Sequence, residues 1–514
     1  MTAIGLPPVE ADWSIIDGRV RAHVLEPAVR DNVFLTPRAA PPSPQGSLPQ
    51  PIWAGRDDVH ACWDKTWDLA RDHWHPAYGG LRAPAIDAAF SGSDLFLWDS
   101  AFLTLFSRYG RHAFETTSTL DNFYATQQPD GFICRTLSSG QQERWERFDP
   151  SSTGPNVLAW TEWEMYRSTA DSDRLRAVWA PLLGYHRWLR KNRTWPDGGY
   201  WSTSWGCGMD DLPRLPADAH PYFEHGHQTW VDACLQAVLS CTALLRIGDV
   251  IGTGDDERAE LQAEKRLLVD LVDTRMWDDD LGTYVDLRRD GSRSDVDTIA
   301  AYWALLAGVG DHSRQSRMIA ALEDPARYGR QNPVPTLSAA SPSFRSDGGY
   351  WRGAVWSPTT YMVLCGLLES GAADVAARLA RRHLEQVLQV FGETGTLWEN
   401  YSPDVARPGP EARPDFVGWT GLSPVSVLLE HVVGIRPGSH AGSLLWDVRL
   451  TEEHGVERYP LPAGGSADLR CAARGSTNAP PHLSVTTDVP LRLEVRAGTR
   501  SVSFDLQEGS HVIP

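Results

Sequence analysis

Two acidic loops contain the residues best suited to chemistry. The segment 201–214, WSTSWGCGMDDLPR, places Asp210 and Asp211 side by side among glycines and tryptophans. The segment 395–404, GTLWENYSPD, places Glu399 between a tryptophan and an Asn-Tyr pair. A carboxyl group beside indole rings loses hydration, which raises its pKa and lets it act as a proton donor near neutral pH. Spacing alone does not separate the two aspartates, and it also allows a helix-capping aspartate and an ordinary surface glutamate.

Acidic loops combined with many tryptophans are typical of glycoside hydrolysis. One carboxyl group protonates the leaving oxygen, and the other activates water or attacks the anomeric carbon. Sugar rings stack on indoles, while their hydroxyls bond to polar side chains. The candidate sugar contacts are Trp98, Asp99, Trp205, Trp351, Arg352, Trp356, Trp398, Tyr401 and Trp419. Trp98 and Trp356 fit the core of a helical barrel equally well.

Length, charge and cysteine content exclude several classes of protein. The 514 residues include 66 acidic and 48 basic side chains, for a formal net charge of −18. This charge, without a basic run, disfavours nucleic-acid binding and anionic membranes. The N-terminus lacks the pattern of a signal peptide, and no stretch of about 18 apolar residues predicts a transmembrane helix. Seven scattered cysteines without a CxxC pair indicate reduced thiols, so we expect a cytoplasmic protein.

Helical periodicity dominates the middle of the chain. From 56 to 435, apolar residues recur at helical spacing in about twelve segments, or about 32 residues per helix and loop. Twelve helices suggest an (α/α)6 barrel, in which six helical hairpins form two concentric rings, with a solenoid of helix pairs as the alternative. Long aromatic and acidic loops favour the barrel, because one mouth of a barrel can carry the functional loops.

The two ends of the chain have a different character. Residues 1–55 contain short β-like pieces and a Pro-rich connector that can form neither a helix nor a central strand. We therefore expect an extended N-terminal arm on the main body. Residues 436–514 alternate apolar and polar side chains between turn residues, which predicts a small antiparallel β domain resembling a sandwich. The predicted fold class is mainly α.

Six motifs in one order resemble glycoside hydrolase family 63, with its mannosylglycerate-hydrolase-like barrels, and more distantly the trehalases. The motifs are FLWDSAF (96–102), QQPDGF (127–132), GMDDLPR (208–214), GGYWRGAVW (348–356), WENY (398–401) and GWTGLSPVSVLLEHVVGI (418–435). The resemblance covers most of the predicted barrel. It implies an inverting, exo-acting glycosidase built on an (α/α)6 barrel.

The resemblance also implies roles for individual residues. Asp210 becomes the general acid and Glu399 the general base. Asp211 is either a substrate contact or, in place of Asp210, the general acid. The residues expected around the non-reducing sugar are Trp98, Asp99, Gln128, Trp351, Arg352 and Trp356. The expected partner is a neutral gluco- or manno-configured α-glycoside or oligosaccharide, and we expect no cofactor.

Other functions and a metal site receive less support. A polysaccharide lyase on an α/α toroid needs cationic residues for its uronate substrate, which the charge of −18 disfavours. A non-catalytic glycan-binding protein would not need both Asp210 and Glu399. The Glu224-His225-Gly226-His227 segment lacks a third ligand cluster, and Asp278–Asp280 lacks the spaced oxygen ligands of an EF-hand loop. We therefore expect no metal.

Overall fold

A computed structural model describes most of the chain. The described residues are 11–16 and 19–24 as backbone, 33–35, 46–77, 81–90, 94–138, 143 and 145–513. The backbone of Ala11–Ile16 pairs with that of Arg19–Val24 as an antiparallel hairpin. The course of the predicted N-terminal arm over the main body lies outside the described residues, as does most of the Pro-rich connector.

Six helical segments form a closed inner ring, in which each segment contacts the next and the last contacts the first. They are Leu97–Ser107, Leu158–Thr169, Val231–Ile251, Trp303–Ala307, Ser357–Glu369 and the π-helical Ser423–Val433. Leu97–Ser107 and Ser423–Val433 are buried at every residue. A helix that is covered on all sides can be apolar all round, as these sequences largely are.

Six further helices alternate with the inner ones along the chain and surround them. They are Asp57–Asp72, Ser118–Ala125, Ser172–Asn192, Asp255–Leu271, His312–Glu323 and Ala373–Thr394. The long ones bury a single face: Ala373–Thr394 buries Ala376, Leu379, Ala380, Leu384 and Val387, at helical spacing. The predicted (α/α)6 barrel is confirmed, and the closed inner ring rules out an open solenoid.

The helix Val231–Ile251 is long and apolar enough to cross a membrane by length and composition alone. About two thirds of its most apolar window is buried inside the protein. Its position in the inner ring accounts for this composition, because neighbouring helices cover it.

The C-terminal region forms two β-sheets. The first contains Ile435–Pro437, Leu444–Asp447, Leu491–Ala497 and Arg500–Leu506 in that order. The second contains Gly509–Ile513, Leu483–Thr487, Ser466–Cys471, His454–Pro460 and Gln50–Trp53 in that order. The small C-terminal β domain is confirmed. Two details differ from the prediction: Leu444–Asp447 pairs in parallel with Leu491–Ala497, and Gln50–Trp53 joins as an edge strand, where Pro51 is tolerated.

Shorter elements lie in the loops. The two-residue strands pair as Trp74–His75 with Ala85–Ile86, Leu95–Phe96 with Thr136–Leu137, and Trp277–Asp278 with Thr283–Tyr284. The short helical turns are Val33–Leu35, Arg108–Gly110, Ser204–Cys207, Val272–Met276, Ile299–Tyr302, Thr420–Leu422 and Pro462–Gly464.

The core accounts for part of the tryptophan surplus and for the cysteines. Eight of the 22 tryptophans are among the largest fully buried side chains: Trp63, Trp67, Trp188, Trp230, Trp303, Trp351, Trp356 and Trp446. All seven cysteines are free thiols, and six are buried, as the sequence predicts. Burial suits a thiol that packs as a small apolar group.

Candidate active site

A cavity of about 370 Å³ opens among the loops that precede the inner helices. Its walls are formed by Phe90, Phe96, Leu97, Trp98, Asp99, Arg135, Trp145, Pro155, Trp205, Gly208, Asp210, Tyr350, Trp351, Arg413 and Trp419. Along the chain, these wall residues lie at or before the starts of five of the six inner segments. The N-terminal ends of those five segments therefore surround the cavity. The barrel therefore brings loops from the whole length of the chain to one mouth.

The backbone before Asp210 requires a glycine. A short helix, Ser204–Cys207, is capped by the Thr203 hydroxyl and ends at Gly208, whose φ is +79°. A Cβ atom on Gly208 would lie 2.6 Å from Cε2 of Trp98. Left-handed backbone and close contact with an indole both favour glycine at this position. The chain then turns so that Asp210 enters the cavity wall.

The neighbouring aspartates have different surroundings. Asp210 lines the cavity, and its Oδ2 accepts a hydrogen bond of 3.3 Å from the Tyr350 hydroxyl. Asp211 instead accepts a 2.8 Å bond from the backbone N–H of Trp351, and Arg352 Nε lies 3.3 Å from its Oδ2. Asp211 therefore links its own loop to the loop that contains Trp351 and Arg352, while Asp210 faces the space where a substrate would lie.

Glu399 lies just behind the cavity wall and is 2 % exposed. Its Oε2 accepts a 3.3 Å bond from the backbone N–H of Arg413, and its own backbone N–H donates to the Arg413 carbonyl at 3.0 Å. The Trp419 indole donates to the carbonyl of Glu399 at 3.1 Å. Arg413 and Trp419 both line the cavity, so Glu399 sits one residue layer from it.

Burial raises the pKa of both carboxyl groups toward neutrality. The pKa of Asp210 rises to about 6, against the opposing charge of Arg135. The pKa of Glu399 rises to about 7 because burial and the nearby Asp210 carboxylate outweigh the stabilising contacts from Arg413. A pair with such values can hold one proton near neutral pH, which supplies one acid and one base.

Two buried polar atoms in the wall have no protein partner among the described residues. They are Oδ1 of Asp99, in the first turn of Leu97–Ser107, and Nε1 of Trp351. Burial raises the pKa of Asp99, and the charges of Asp210 and Glu399 raise it further. An unpaired buried donor or acceptor costs about 1–3 kcal/mol, so a ligand hydroxyl that completes these bonds would be favoured.

Tryptophans form much of the wall. The Trp98 ring lies 6.1 Å from that of Trp351 and 6.0 Å from that of Trp419. Trp356 does not line the cavity, although the sequence places it in the sugar subsite. It stacks behind Trp351 with ring centroids 3.9 Å apart and planes within 3°. Trp356 therefore supports the wall from the barrel interior.

Four other predicted contacts lie away from the cavity wall. Gln128 donates to Glu143 at 2.6 Å. The Trp398 indole donates to the Thr394 hydroxyl at 3.0 Å, and the buried Tyr401 hydroxyl accepts from the backbone N–H of Trp398. Arg352 is exposed beside Asp211. The structure thus groups Trp98, Asp99, Trp205, Asp210, Trp351 and Trp419 in the wall, with Glu399 directly behind them.

Several wall residues are not predicted from the sequence. Tyr350 lies inside the GGYWRGAVW motif, and only the structure distinguishes it: its φ of +51° is unusual for a bulky residue and marks a constrained site. Arg135 packs its guanidinium 5.4 Å from the Trp145 ring and 5.8 Å from the Trp205 ring. Arg413 comes from a loop without periodicity. Neither arginine has a local sequence signal.

Among the described residues, one cluster of three side chains of the types that bind metals lies outside the wall of this cavity. His186, Cys241 and Glu264 are all buried. His186 Nε2 is 3.1 Å from Glu264, and its Nδ1 is 3.0 Å from Ser240 Oγ. Hydrogen bonds within the core account for these groups. The His225 and His227 rings pack against Trp195.

Comparison with known proteins identifies relatives along most of the barrel. Residues 93–416, well over half of the chain, match the profile described as a mannosylglycerate hydrolase MGH1-like glycoside hydrolase domain. A mannosylglycerate hydrolase of Thermus thermophilus is 27% identical over 355 residues, covering 55% of this chain and 84% of the relative. The mannosyl-oligosaccharide glucosidase of Saccharomyces cerevisiae is 24% identical over 295 residues, covering 48% of this chain but only 34% of that enzyme.

A solved structure shows the same fold. The family 63 mannosylglycerate hydrolase from a second strain of Thermus thermophilus, in complex with glucose, superposes with a TM-score of 0.58 at 21% identity. The match covers 71% of this chain and 99% of that one. The superposition shows a shared α/α barrel.

Proposed function

The chain belongs to the mannosylglycerate hydrolase MGH1-like glycoside hydrolases, and we propose that it cleaves neutral gluco- or manno-configured α-glycosides or oligosaccharides from their non-reducing end, with inversion. The observation that carries this proposal is the pair Asp210 and Glu399, two carboxyl groups with raised pKa values: Asp210 is half-buried in the wall of the tryptophan-lined cavity, and Glu399 is buried directly behind that wall. A cavity of about 370 Å³ suits one terminal sugar with its neighbour, which supports exo action.

Asp210 acts as the general acid and Glu399 as the general base in this proposal. Asp210 faces the cavity and would protonate the leaving oxygen, while Glu399 would take a proton from the attacking water. Before substrate binds, the pair shares one proton near neutral pH, because burial raises the pKa of both carboxyl groups. A bound sugar displaces water from the half-buried Asp210 and raises its pKa further, which favours the proton on Asp210 as the site fills.

Contacts to the terminal sugar come from the unpaired polar atoms in the wall. Asp99 Oδ1 would accept from a sugar hydroxyl, and Trp351 Nε1 would donate to another. The faces of Trp98 and Trp419 supply stacking surfaces. Three acidic groups around the same space favour a neutral sugar over a uronate, which supports hydrolysis over the lyase alternative.

The stereochemistry of the first product tests this proposal. We expect an α-glycoside to release the β-anomer first, which proton NMR resolves before mutarotation. The screen should include α-linked glucose and mannose disaccharides and glycosyl-glycerates, because Arg135 and Arg413 in the wall could also pair with an acidic aglycone. Initial release of the α-anomer would show retention and would contradict the role of Glu399 as a base for water.

The plot of kcat/KM against pH should be bell-shaped, with a narrow maximum. The rate should fall below about pH 6, where both carboxyl groups become protonated and no base remains. It should fall above about pH 7, where the pair loses its last proton and no acid remains. Initial rates from pH 4 to 9 at constant ionic strength measure both limbs. A rate that stays constant from neutral to alkaline pH would contradict a titrating acid.

A further inference from the structure

A second, larger cavity of about 800 Å³ lies where the barrel meets the β domain. Its walls come from the helix Ala373–Thr394, the end of Ser423–Val433, and the β-domain segments 447–450, 477–478 and 498–499. It shares no wall residue with the catalytic cavity. The proposed hydrolysis therefore gives this space no role.

The walls of this second cavity are rich in arginine, although the chain as a whole has a net charge of −18. Four arginines and two aspartates line it: Arg378, Arg381, Arg382, Arg449, Asp374 and Asp447. Arg449 pairs with both aspartates, at 2.6 Å from Asp374 and 2.9 Å from Asp447. Both wall aspartates are thus already engaged by one arginine.

The remaining arginines differ in how well they are neutralised. Arg378 makes a two-point ion pair with Glu323, with both bonds at 3.0 Å. Arg381 has its nearest carboxylates only at 3.9 and 4.0 Å. Arg382 donates to the carbonyl of Arg330, and no carboxylate within ion-pair distance is found for it in the described part of the chain. Arg382 therefore has no carboxylate partner among the described residues, and Arg381 has only distant ones, together with the Trp53 ring 5.3 Å from its guanidinium.

A buried histidine faces the same cavity. His431 is 3 % exposed, and neither of its ring nitrogens has a hydrogen-bond partner among the described residues. Burial and the nearby Arg436 and Arg108 lower its pKa to about 3, so the ring is neutral and carries one N–H donor. A buried donor without an acceptor is destabilising, so an acceptor in the cavity is favoured.

We propose that this cavity binds a phosphate group, free or as the ester of a small molecule, with Arg381 and Arg382 neutralising its charge and His431 donating to one of its oxygens. Guanidinium groups match the geometry of phosphate oxygens and form strong charge-assisted bonds with them. Thr477, Asn478 and Thr499 supply further polar groups at the β-domain side. The volume leaves room for a sugar-sized ester group beyond the phosphate.

Calorimetric titration of the full chain tests this site independently of catalysis. Inorganic phosphate and glucose 6-phosphate serve as the two probes, in chloride buffers of constant ionic strength. We expect one saturable site per chain, and a Kd at least about tenfold weaker in the double variant Arg381→Gln/Arg382→Gln. Tighter binding of glucose 6-phosphate would identify an ester as the ligand, and equal affinities would identify phosphate itself.

A charge-matched control separates a site from general attraction. The double variant Arg176→Gln/Arg266→Gln removes two exposed helical arginines that do not line the cavity, and it should keep the wild-type Kd. His431→Phe keeps a planar ring without a donor, and should weaken binding while near-UV circular dichroism confirms the fold. The proposal is overturned if wild type binds neither probe up to about 10 mM, or if both double variants lose affinity equally.

Discussion

Replacing Asp210 by asparagine is expected to lower kcat by about 10²- to 10⁴-fold toward a disaccharide, and far less toward the matching glycosyl fluoride. A sugar alkoxide leaves only with a proton, whereas fluoride leaves without one. Loss of a general acid therefore affects the two substrates unequally. Glu399→Gln should slow both substrates strongly, because each still needs an activated water. Steady-state rates on the two substrates measure the difference.

Asp211→Asn is the matched control for this experiment. It lies on the same loop, and an asparagine oxygen can still accept the 2.8 Å bond from the Trp351 backbone N–H. We expect its kcat to stay within a few-fold of wild type on both substrates. If instead Glu399→Gln is rescued by the fluoride and Asp210→Asn is not, the two roles are exchanged. If Asp211→Asn shows the larger selective loss, the acid is Asp211.

Replacing Arg214 by methionine should destabilise the barrel by about 3–5 kcal/mol. The Arg214 side chain is 1 % exposed and bridges Asp232 and Asp286 through four hydrogen bonds of 2.6 to 2.9 Å. Asp286 also accepts from the backbone N–H of Val231, where an inner helix begins. Removing the cation leaves two buried carboxylates without their charge partner. Urea unfolding followed by tryptophan fluorescence measures the change.

Two controls isolate the charge effect of Arg214. Arg378→Met breaks an exposed two-point pair with Glu323 and should cost no more than about 1 kcal/mol. Adding Asp232→Asn and Asp286→Asn to Arg214→Met removes the uncompensated charges and should restore part of the lost stability. A loss of stability for Arg214→Met as small as that for Arg378→Met would show that the bridge between Arg214, Asp232 and Asp286 does not stabilise the barrel.

The sequence alone predicts the barrel because its signal is local and repeated. The outer helix Ala373–Thr394 shows one apolar face, and the inner helix Val231–Ile251 is apolar nearly all round. Such periodicity depends only on residues three or four apart. The β domain follows from alternation in the same way. The parallel pairing of Leu444–Asp447 with Leu491–Ala497 does not follow, because alternation specifies which face is buried but not which strands are neighbours.

For the site, the sequence by itself determined the chemistry available: acidic loops rich in tryptophan, and motifs that place Asp210 and Glu399 in a glycosidase family. Only the tertiary structure decided which side chains meet. Asp211 bonds to a backbone N–H 140 residues away, which leaves Asp210 facing the cavity. Trp356 lies behind Trp351, and Arg135 lines the cavity from a loop that has no periodic sequence pattern. Long-range contacts of this kind set the orientation of the side chains in loops. The spacing of residues along the chain does not reveal those contacts.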